Sequence, residues 1–144
     1  MDDNYVLLVE DNDAEVLLTR LAFKQAKVSN NVVVASDGQQ ALDFLFSHGS
    51  YANRNKEDKP GVVLLDLKLP LVGGIEVLRE IKADKNTADI PVAILTSSSQ
   101  IADRSEAYRL GANDYFQKPM DFTKFVELIK QIKARYLDTQ VALK

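Results

Sequence analysis

Residues 62–70 read VVLLDLKLP, and this stretch decides how the rest of the chain is interpreted. Four apolar residues, 62–65, end directly at Asp66. A short, continuous apolar run is typical of a strand in a parallel sheet that helices cover on both faces. Ligands collect outside the carboxyl ends of such strands. We therefore predict that Asp66 lies at a binding edge.

The pattern repeats along the chain. Short apolar runs predict strands at residues 5–9, 32–35, 61–65, 91–95 and 113–117. Helical spacing of apolar residues predicts helices at 14–27, 39–46, 75–83, 101–110 and 122–136. The order βαβαβαβαβα predicts an α/β fold, a doubly wound sandwich with right-handed crossovers.

Three local features refine these helices. We expect the first helix to bury a face made of Leu17, Leu18, Leu21 and Ala22. We expect the last helix to bury Phe122, Phe125, Val126, Ile129 and Ile132, after Asp121 as N-cap. Gly111 is the expected C-cap glycine of the fourth helix.

Residues 47–60, SHGSYANRNKEDKP, interrupt the alternation. The segment is polar, so we predict a long exposed loop before the third strand. Loops of this length are often functional. A tolerated surface insertion explains the segment equally well.

Composition excludes several function classes. The chain has 144 residues, enough for one domain, and its 18 basic against 21 acidic residues give a net charge of −3. This balance disfavours binding to nucleic-acid backbone or an anionic membrane. With no cysteine, disulfides, thiolate metal sites and a cysteine nucleophile are excluded. The acidic N-terminus shows no secretory signal and no apolar run reaches membrane-spanning length, so we expect a cytoplasmic protein.

Chemically active side chains follow four of the predicted strands. They are Glu10 and Asp11, Asp66, Thr96 with Ser97, and Lys118 before Pro119. Crowded carboxylates repel one another unless a cation is present. A hard divalent cation such as Mg²⁺ prefers oxygen ligands of this kind.

An aspartate at this position can attack phosphorus and become an aspartyl phosphate. Lys118 and the Thr96 hydroxyl could then stabilise the phosphoryl oxygens. Each residue alone has an ordinary explanation: Asp11 could cap a helix, and Asp66 could be a turn residue. Their joint placement on successive strand ends favours the phosphoryl site.

The sequence resembles the receiver domain of two-component response regulators over residues 5–136. The matching motifs are LLVEDN, LLDLKLP, GGIEVL, AILTSS and GANDYFQKP, in the order that the family has them. The resemblance implies a single flavodoxin-like (βα)5 domain over residues 1–144, with strand order 2-1-3-4-5. The last predicted helix leaves only a short C-terminal tail at about 137–144, so we expect no output domain.

The resemblance also assigns roles. Asp66 would be the phosphoacceptor, with Thr96 and Lys118 contacting the phosphoryl group. Mg²⁺, with Mn²⁺ as a substitute, would bind Asp11, Asp66 and the Lys68 backbone carbonyl, and Glu10 through water. The remaining assignments are Lys68, Ser97 and Ser98 for phosphate access and lifetime, Tyr115 as the aromatic switch residue, and a cis bond between Lys118 and Pro119.

Phosphorylation adds negative charge at Asp66, which would draw the Thr96 hydroxyl inward and let Tyr115 turn inward. The affected surface would be the fourth helix, fifth strand and fifth helix. Apolar residues there are candidates for a homodimer or partner interface: Tyr108, Leu128, Ile132 and Tyr136. The alternative is that these are scattered apolar residues of the kind that most protein surfaces carry.

The implied partner is a sensor histidine kinase. The stand-alone receiver and the 47–60 segment resemble cyanobacterial phytochrome response regulators of the Rcp type, so a phytochrome kinase is the expected donor. Direct DNA binding is not expected. Apart from its own phosphorylation and dephosphorylation the chain would not be an enzyme. The alternatives are an unphosphorylated pseudo-receiver, an aspartate-dependent phosphatase, and a nucleotide- or flavin-binding protein; EDNDAE after the first strand supplies no glycine-rich phosphate loop.

Overall fold

The computed structural model describes residues 4–138. The strands are β1 Val6–Val9, β2 Val32–Ala35, β3 Val62–Leu65, β4 Val92–Thr96 and β5 Asp114–Gln117. The helices are α1 Asp13–Gln25, α2 Gly38–Phe46, α3 Gly74–Ala83, α4 Ile101–Arg109 and α5 Phe122–Ile132. All strands pair in parallel in the order β2-β1-β3-β4-β5. The predicted fold and strand order are confirmed.

Helices cover both faces of the sheet, which explains the continuous apolar runs. Leu7 and Val63 point into one core with α2 and α3, whereas Leu8 and Leu64 point into the other with α1 and α5. Both layers therefore need apolar residues from the same strand. None of the described helices is long and apolar enough to cross a membrane.

The expected core face of α1 is wrong. Leu17, Leu18 and Leu21 are 59%, 43% and 45% exposed, and the buried residues of the helix include Ala22 and Phe23. α1 packs against α5, and Ala22 and Phe23 lie in the same core cluster as residues of α5. Only Ala22 of the expected face is buried.

The last helix also differs from the prediction. The expected core residue Phe122 is 39% exposed at the start of α5. The α-helix ends at Ile132 and continues as one π-helical turn, Lys133–Leu137. The expected tail at 137–144 lies outside the described residues except for Leu137, which is buried, and Asp138, which is exposed.

Two of the four candidate interface residues are buried, so they cannot form part of an exposed interface. Leu128 and Ile132 are 8% and 1% exposed because they pack into the core between α5 and the sheet. Tyr108 is 42% exposed, and Tyr136 is half-buried with its hydroxyl bonded to the Asp114 carboxylate. The expected N-cap is confirmed, since Asp121 accepts from the N–H of Thr123 at 2.9 Å. The C-cap of α4 is Leu110, and the expected glycine, Gly111, follows it with φ +105°.

The expected long exposed loop at 47–60 is wrong in part. It contains a 3₁₀ turn, Gly49–Tyr51, and its Arg54 side chain is only 11% exposed. The Arg54 Nε donates to the Phe44 carbonyl at 2.7 Å, and the guanidinium lies 4.1 Å from the Phe44 ring centroid. The buried Tyr5 hydroxyl donates to the Asp58 carbonyl at 3.1 Å. These contacts fold the polar segment onto the end of α2 and the start of β1.

Candidate functional site

Three carboxylates meet where β1 and β3 end. One oxygen each from Glu10, Asp11 and Asp66 lies within 4.8 Å of the others. Val9 pairs with Leu65 in the sheet, so the residues that follow these two strands are brought to the same edge. Glu10 is buried at 3% exposure, Asp66 is half-buried and Asp11 is exposed.

The backbone of Gly74 lies very close to the backbone of Asp66 and Leu67. A side-chain carbon at Gly74 would lie 2.3 Å from the Asp66 carbonyl oxygen and 2.6 Å from the Leu67 Cα. Only glycine fits at this contact. The Gly74 N–H donates to the Leu67 carbonyl at 3.1 Å, so the start of α3 fixes the chain after Asp66.

Lys118 supplies the positive charge. Its Nζ lies 2.6 Å from Glu10 Oε1, 3.8 Å from Asp66 Oδ2 and 4.0 Å from Glu15 Oε2. The backbone N–H of Lys118 donates to the Thr96 carbonyl at 2.7 Å, which aligns the lysine with the edge. Burial raises the pKa of the Glu10 carboxyl, and the bonded Lys118 ammonium opposes this shift.

Two findings at Lys118 differ from the sequence interpretation. The peptide bond between Lys118 and Pro119 is trans, so the expected cis bond is wrong. Trans is the intrinsically lower form by about 0.5–1 kcal/mol, and the lysine reaches Glu10 with it. Sequence reasoning missed Glu15, which lies in the first turn of α1, three residues after Asn12.

Lys68 and Ser97, two of the residues predicted to affect phosphate access and lifetime, lie beside Asp66 and Lys118 respectively. The Lys68 N–H donates to Asp66 Oδ1 at 3.2 Å, and its side chain is exposed. Ser97 is exposed and lines an open groove of about 290 Å³ together with Lys118 and Pro119. Met120 lines this groove as well and is fully exposed, which the sequence interpretation missed.

The expected switch residues are connected through Ser98. Thr96 is fully buried, and its Oγ1 accepts from the Ser98 N–H at 3.3 Å. The Tyr115 hydroxyl donates to the Ser98 carbonyl at 3.4 Å, and the half-buried ring packs inward against the core. Ser98 Oγ donates to Asp103 Oδ2 at 2.6 Å, a partner that sequence reasoning did not find.

The family is identified by a direct match of the sequence to a family model. A family model described as the response regulator receiver domain matches residues 6–130. The chain belongs to the response regulator receiver domain family. Membership agrees with the resemblance of its motifs and with the observed strand order.

Several similar proteins match over most of their own length as well as most of this chain. The probable methanogenesis regulatory protein FilR2 of Methanothrix harundinacea is 37% identical over 94% of this chain and 85% of its own. Response regulator Rcp1 of Synechocystis is 34% identical over 93% and 89%. The phosphorylated cyanobacterial phytochrome response regulator RcpA superposes with a TM-score of 0.86 at 36% identity, covering 96% of both chains.

The donor set fits a hard divalent cation because all three side chains offer carboxylate oxygens. Rcp1 has been solved in a Mn²⁺-bound form, with a TM-score of 0.84 and 33% identity over 94% of this chain and 96% of its own. The receiver domain of sensor histidine kinase PA1611 from Pseudomonas aeruginosa has magnesium in its active-site cleft, at 27% identity over 94% and 98%. Mg²⁺, with Mn²⁺ as a substitute, is the cofactor that these oxygens and relatives support.

Proposed function

We propose that this receiver accepts a phosphoryl group from a histidine kinase onto Asp66. The observation that carries the proposal is the Lys118 ammonium placed between two carboxylates, 2.6 Å from Glu10 and 3.8 Å from Asp66. Glu10 binds the lysine closely, so the Asp66 carboxylate keeps a longer ion pair. Of the two strand-end carboxylates that share Lys118, Asp66 therefore has the oxygen more available to attack phosphorus.

The reaction is an in-line substitution at phosphorus. An Asp66 oxygen forms the new P–O bond, and the bond from phosphorus to the donor breaks, with its electron pair leaving on the donor. Positioning and charge neutralisation carry most of the catalysis in such transfers. Lys118 and the Thr96 hydroxyl are the groups of this chain that would neutralise the phosphoryl oxygens.

Asp11 and Asp66 would hold Mg²⁺ directly and Glu10 through water, with the Lys68 backbone carbonyl as a further proposed ligand. The bound cation would supply charge neutralisation on the phosphoryl oxygens. We assign Lys68, Ser97 and Ser98 to access of the donor and lifetime of the phosphate. The chain would catalyse only its own phosphorylation and dephosphorylation.

The test is phosphorylation of the intact chain by a small acyl phosphate with Mg²⁺, followed by intact mass. We expect one added phosphoryl group in the wild type and in Asp89→Asn. Asp89 is a matched control because it lies before β4, at the opposite edge of the sheet, with its side chain 77% exposed. Asp66→Asn and chelation of the metal should each abolish the gain.

A pseudo-receiver gives a different result. If the wild type gains no phosphoryl group from either a small donor or a histidine kinase, the proposal is wrong. Lack of Mg²⁺ binding in the same sample would favour a binding module that is not phosphorylated. Phosphorylation that survives Asp66→Asn would assign the acceptor elsewhere.

A phytochrome histidine kinase is the proposed donor, because RcpA is a phytochrome response regulator and matches 96% of the chain. FilR2 has similar identity and a different described role, so the donor needs its own test. Transfer from a phosphorylated phytochrome kinase should be faster than transfer from an unrelated histidine kinase. Equal rates would contradict the phytochrome assignment.

The output surface stays a proposal at the face formed by α4, β5 and α5. Tyr108 and Tyr136 remain as candidates for homodimer or partner contacts, since Leu128 and Ile132 are buried. Direct DNA binding is not part of the proposal, because the net charge of −3 disfavours phosphate-backbone contacts.

A further inference from the structure

Ser98 connects three parts of the molecule. Its N–H donates to Thr96 Oγ1 at 3.3 Å, and its carbonyl accepts from the Tyr115 hydroxyl at 3.4 Å. Its side chain donates to Asp103 Oδ2 at 2.6 Å and accepts from the Gln100 N–H at 3.3 Å. The loop between β4 and α4 thus joins the buried threonine, the inward tyrosine and the first turn of α4.

Few contacts hold α4 in place. Of its 9 residues only Ala107 is buried, and Ile101 at its start is 80% exposed. The ion pair from Arg79 to Glu106 measures 3.8 Å between partly exposed side chains, and such pairs contribute little. The bond from Ser98 Oγ to the Asp103 carboxylate is short, 2.6 Å, and is the side-chain bond that ties the first turn of this helix to the loop before it.

The tyrosine contact depends on where the loop lies. Its 3.4 Å length exceeds the usual range of about 2.5–3.0 Å for a hydroxyl donor. A small outward displacement of the Ser98 carbonyl would end it. The bond from Ser98 Oγ to Asp103 ties the loop to the first turn of α4 and would oppose such a displacement.

We propose that Asp103 is a positioning residue that keeps the Ser98 carbonyl within reach of the Tyr115 hydroxyl. It thereby favours the inward position of Tyr115. The consequence for phosphoryl binding rests on the function proposed above: a phosphoryl group that favours the same loop position binds more tightly when Asp103 is present.

The experiment measures the Tyr115 position and phosphoryl-mimic binding separately. The full chain is labelled with 3-fluorotyrosine, and the Tyr115 resonance is assigned from Tyr115→Phe. Asp103→Ala should move this resonance toward its solvent-exposed value without any ligand. It should also weaken binding of beryllium trifluoride with Mg²⁺ by about fivefold, as expected for the removal of one hydrogen bond.

Two matched variants separate a hydrogen bond from a charge effect. Asp103→Asn keeps an acceptor oxygen without the charge, so its effect should fall between wild type and Asp103→Ala. Ser105→Ala removes a serine that is exposed on the same helix, and it should behave as wild type. In a Ser98→Ala background, Asp103→Ala should have no further effect on the Tyr115 resonance.

Each other result overturns the proposal. If Asp103→Ala matches the wild type, or if Asp103→Asn is as severe as Asp103→Ala, the bond to Ser98 does not position the tyrosine. If the resonance moves but the affinity does not, the link to phosphoryl binding is wrong. If the wild type binds no beryllium trifluoride and accepts no phosphoryl group, the proposed function fails, while the resonance still decides the role of Asp103. Unfolding curves confirm that each variant is folded.

Discussion

Replacing Arg54 should destabilise the whole domain, although the residue lies in a segment of polar composition. Its Nε donates to the Phe44 carbonyl at 2.7 Å, its Nη1 donates to the Asp58 carbonyl, and Nη1 lies 3.3 Å from the Tyr5 hydroxyl. The guanidinium also lies over the Phe44 ring. The side chain is 11% exposed, so water cannot easily replace these interactions after truncation.

The magnitude follows from the interactions that truncation removes. A hydrogen bond to a charged group contributes about 1.5–3 kcal/mol, and a partly desolvated cation–π interaction about 1–2 kcal/mol. The Asp58 carbonyl keeps the Tyr5 hydroxyl as a donor, which offsets part of the destabilisation. The hydrogen bond to the Phe44 carbonyl and the contact with the Phe44 ring together amount to about 2.5–5 kcal/mol. From the lower part of this range we expect Arg54→Ala to lower the free energy of unfolding by about 3 kcal/mol, a fall in Tm of about 6–12 °C.

Urea unfolding followed by circular dichroism measures this directly. Arg54→Lys keeps the charge without the planar fork and should destabilise the domain roughly half as much. Lys56→Ala is the matched control: Lys56 is exposed in the same segment and has no side-chain hydrogen bond within the described part of the chain. A decrease below about 1 kcal/mol for Arg54→Ala would refute the reasoning.

Three further outcomes are expected. Gly74→Ala should destabilise by about 1–3 kcal/mol and slow phosphorylation, since its Cβ would meet backbone at Asp66, whereas Gly73→Ala, which meets nothing within 4 Å, should change stability by less than about 1 kcal/mol. Leu17→Ala should alter the unfolding free energy by less than about 0.5 kcal/mol in a urea titration, because the side chain is 59% exposed. Burial raises the pKa of Tyr5 to about 12. Between pH 10 and 12 the unfolded chain loses this proton first, so stability should fall as pH rises, by about 1 kcal/mol at pH 11, and Tyr5→Phe should remove that component of the pH dependence.

The sheet and the edge that carries the acidic residues could be predicted because short-range patterns determine them. A run such as Val62–Leu65 is apolar on both faces, and parallel strands place their following residues at one edge. Asp66 and Lys118 therefore meet near Glu10, as the strand ends indicated. The strand order came from the family resemblance, since periodicity does not determine which strands are neighbours.

The errors share a physical cause: they concern residues whose burial depends on distant partners. α1 leaves Leu17, Leu18 and Leu21 partly or largely exposed and buries Ala22 and Phe23 instead, a choice that its packing partners and not its own periodicity determine. In a polar segment Arg54 has the pattern of a solvated charge, and only the structure shows its partners on α2 and at Asp58. Asp103 pairs with Ser98 only because α4 begins where it does.

Glu10 and Asp66 share the Lys118 ammonium unequally, and phosphorylation of Asp66 would change this balance. In the present arrangement the ammonium lies closer to Glu10 than to Asp66, at 2.6 Å against 3.8 Å. A phosphoryl group on Asp66 would raise the negative charge there from one to nearly two. Coulomb attraction between the ammonium and Asp66 would then roughly double at equal distance. The balance that now favours Glu10 would shift toward the phosphorylated residue, and Lys118 would pull on β5, the strand whose Tyr115 reaches the Ser98 carbonyl. On the proposed function, the charge change and the tyrosine position would therefore be coupled through the residues that follow β5 as well as through the loop that Asp103 is proposed to position.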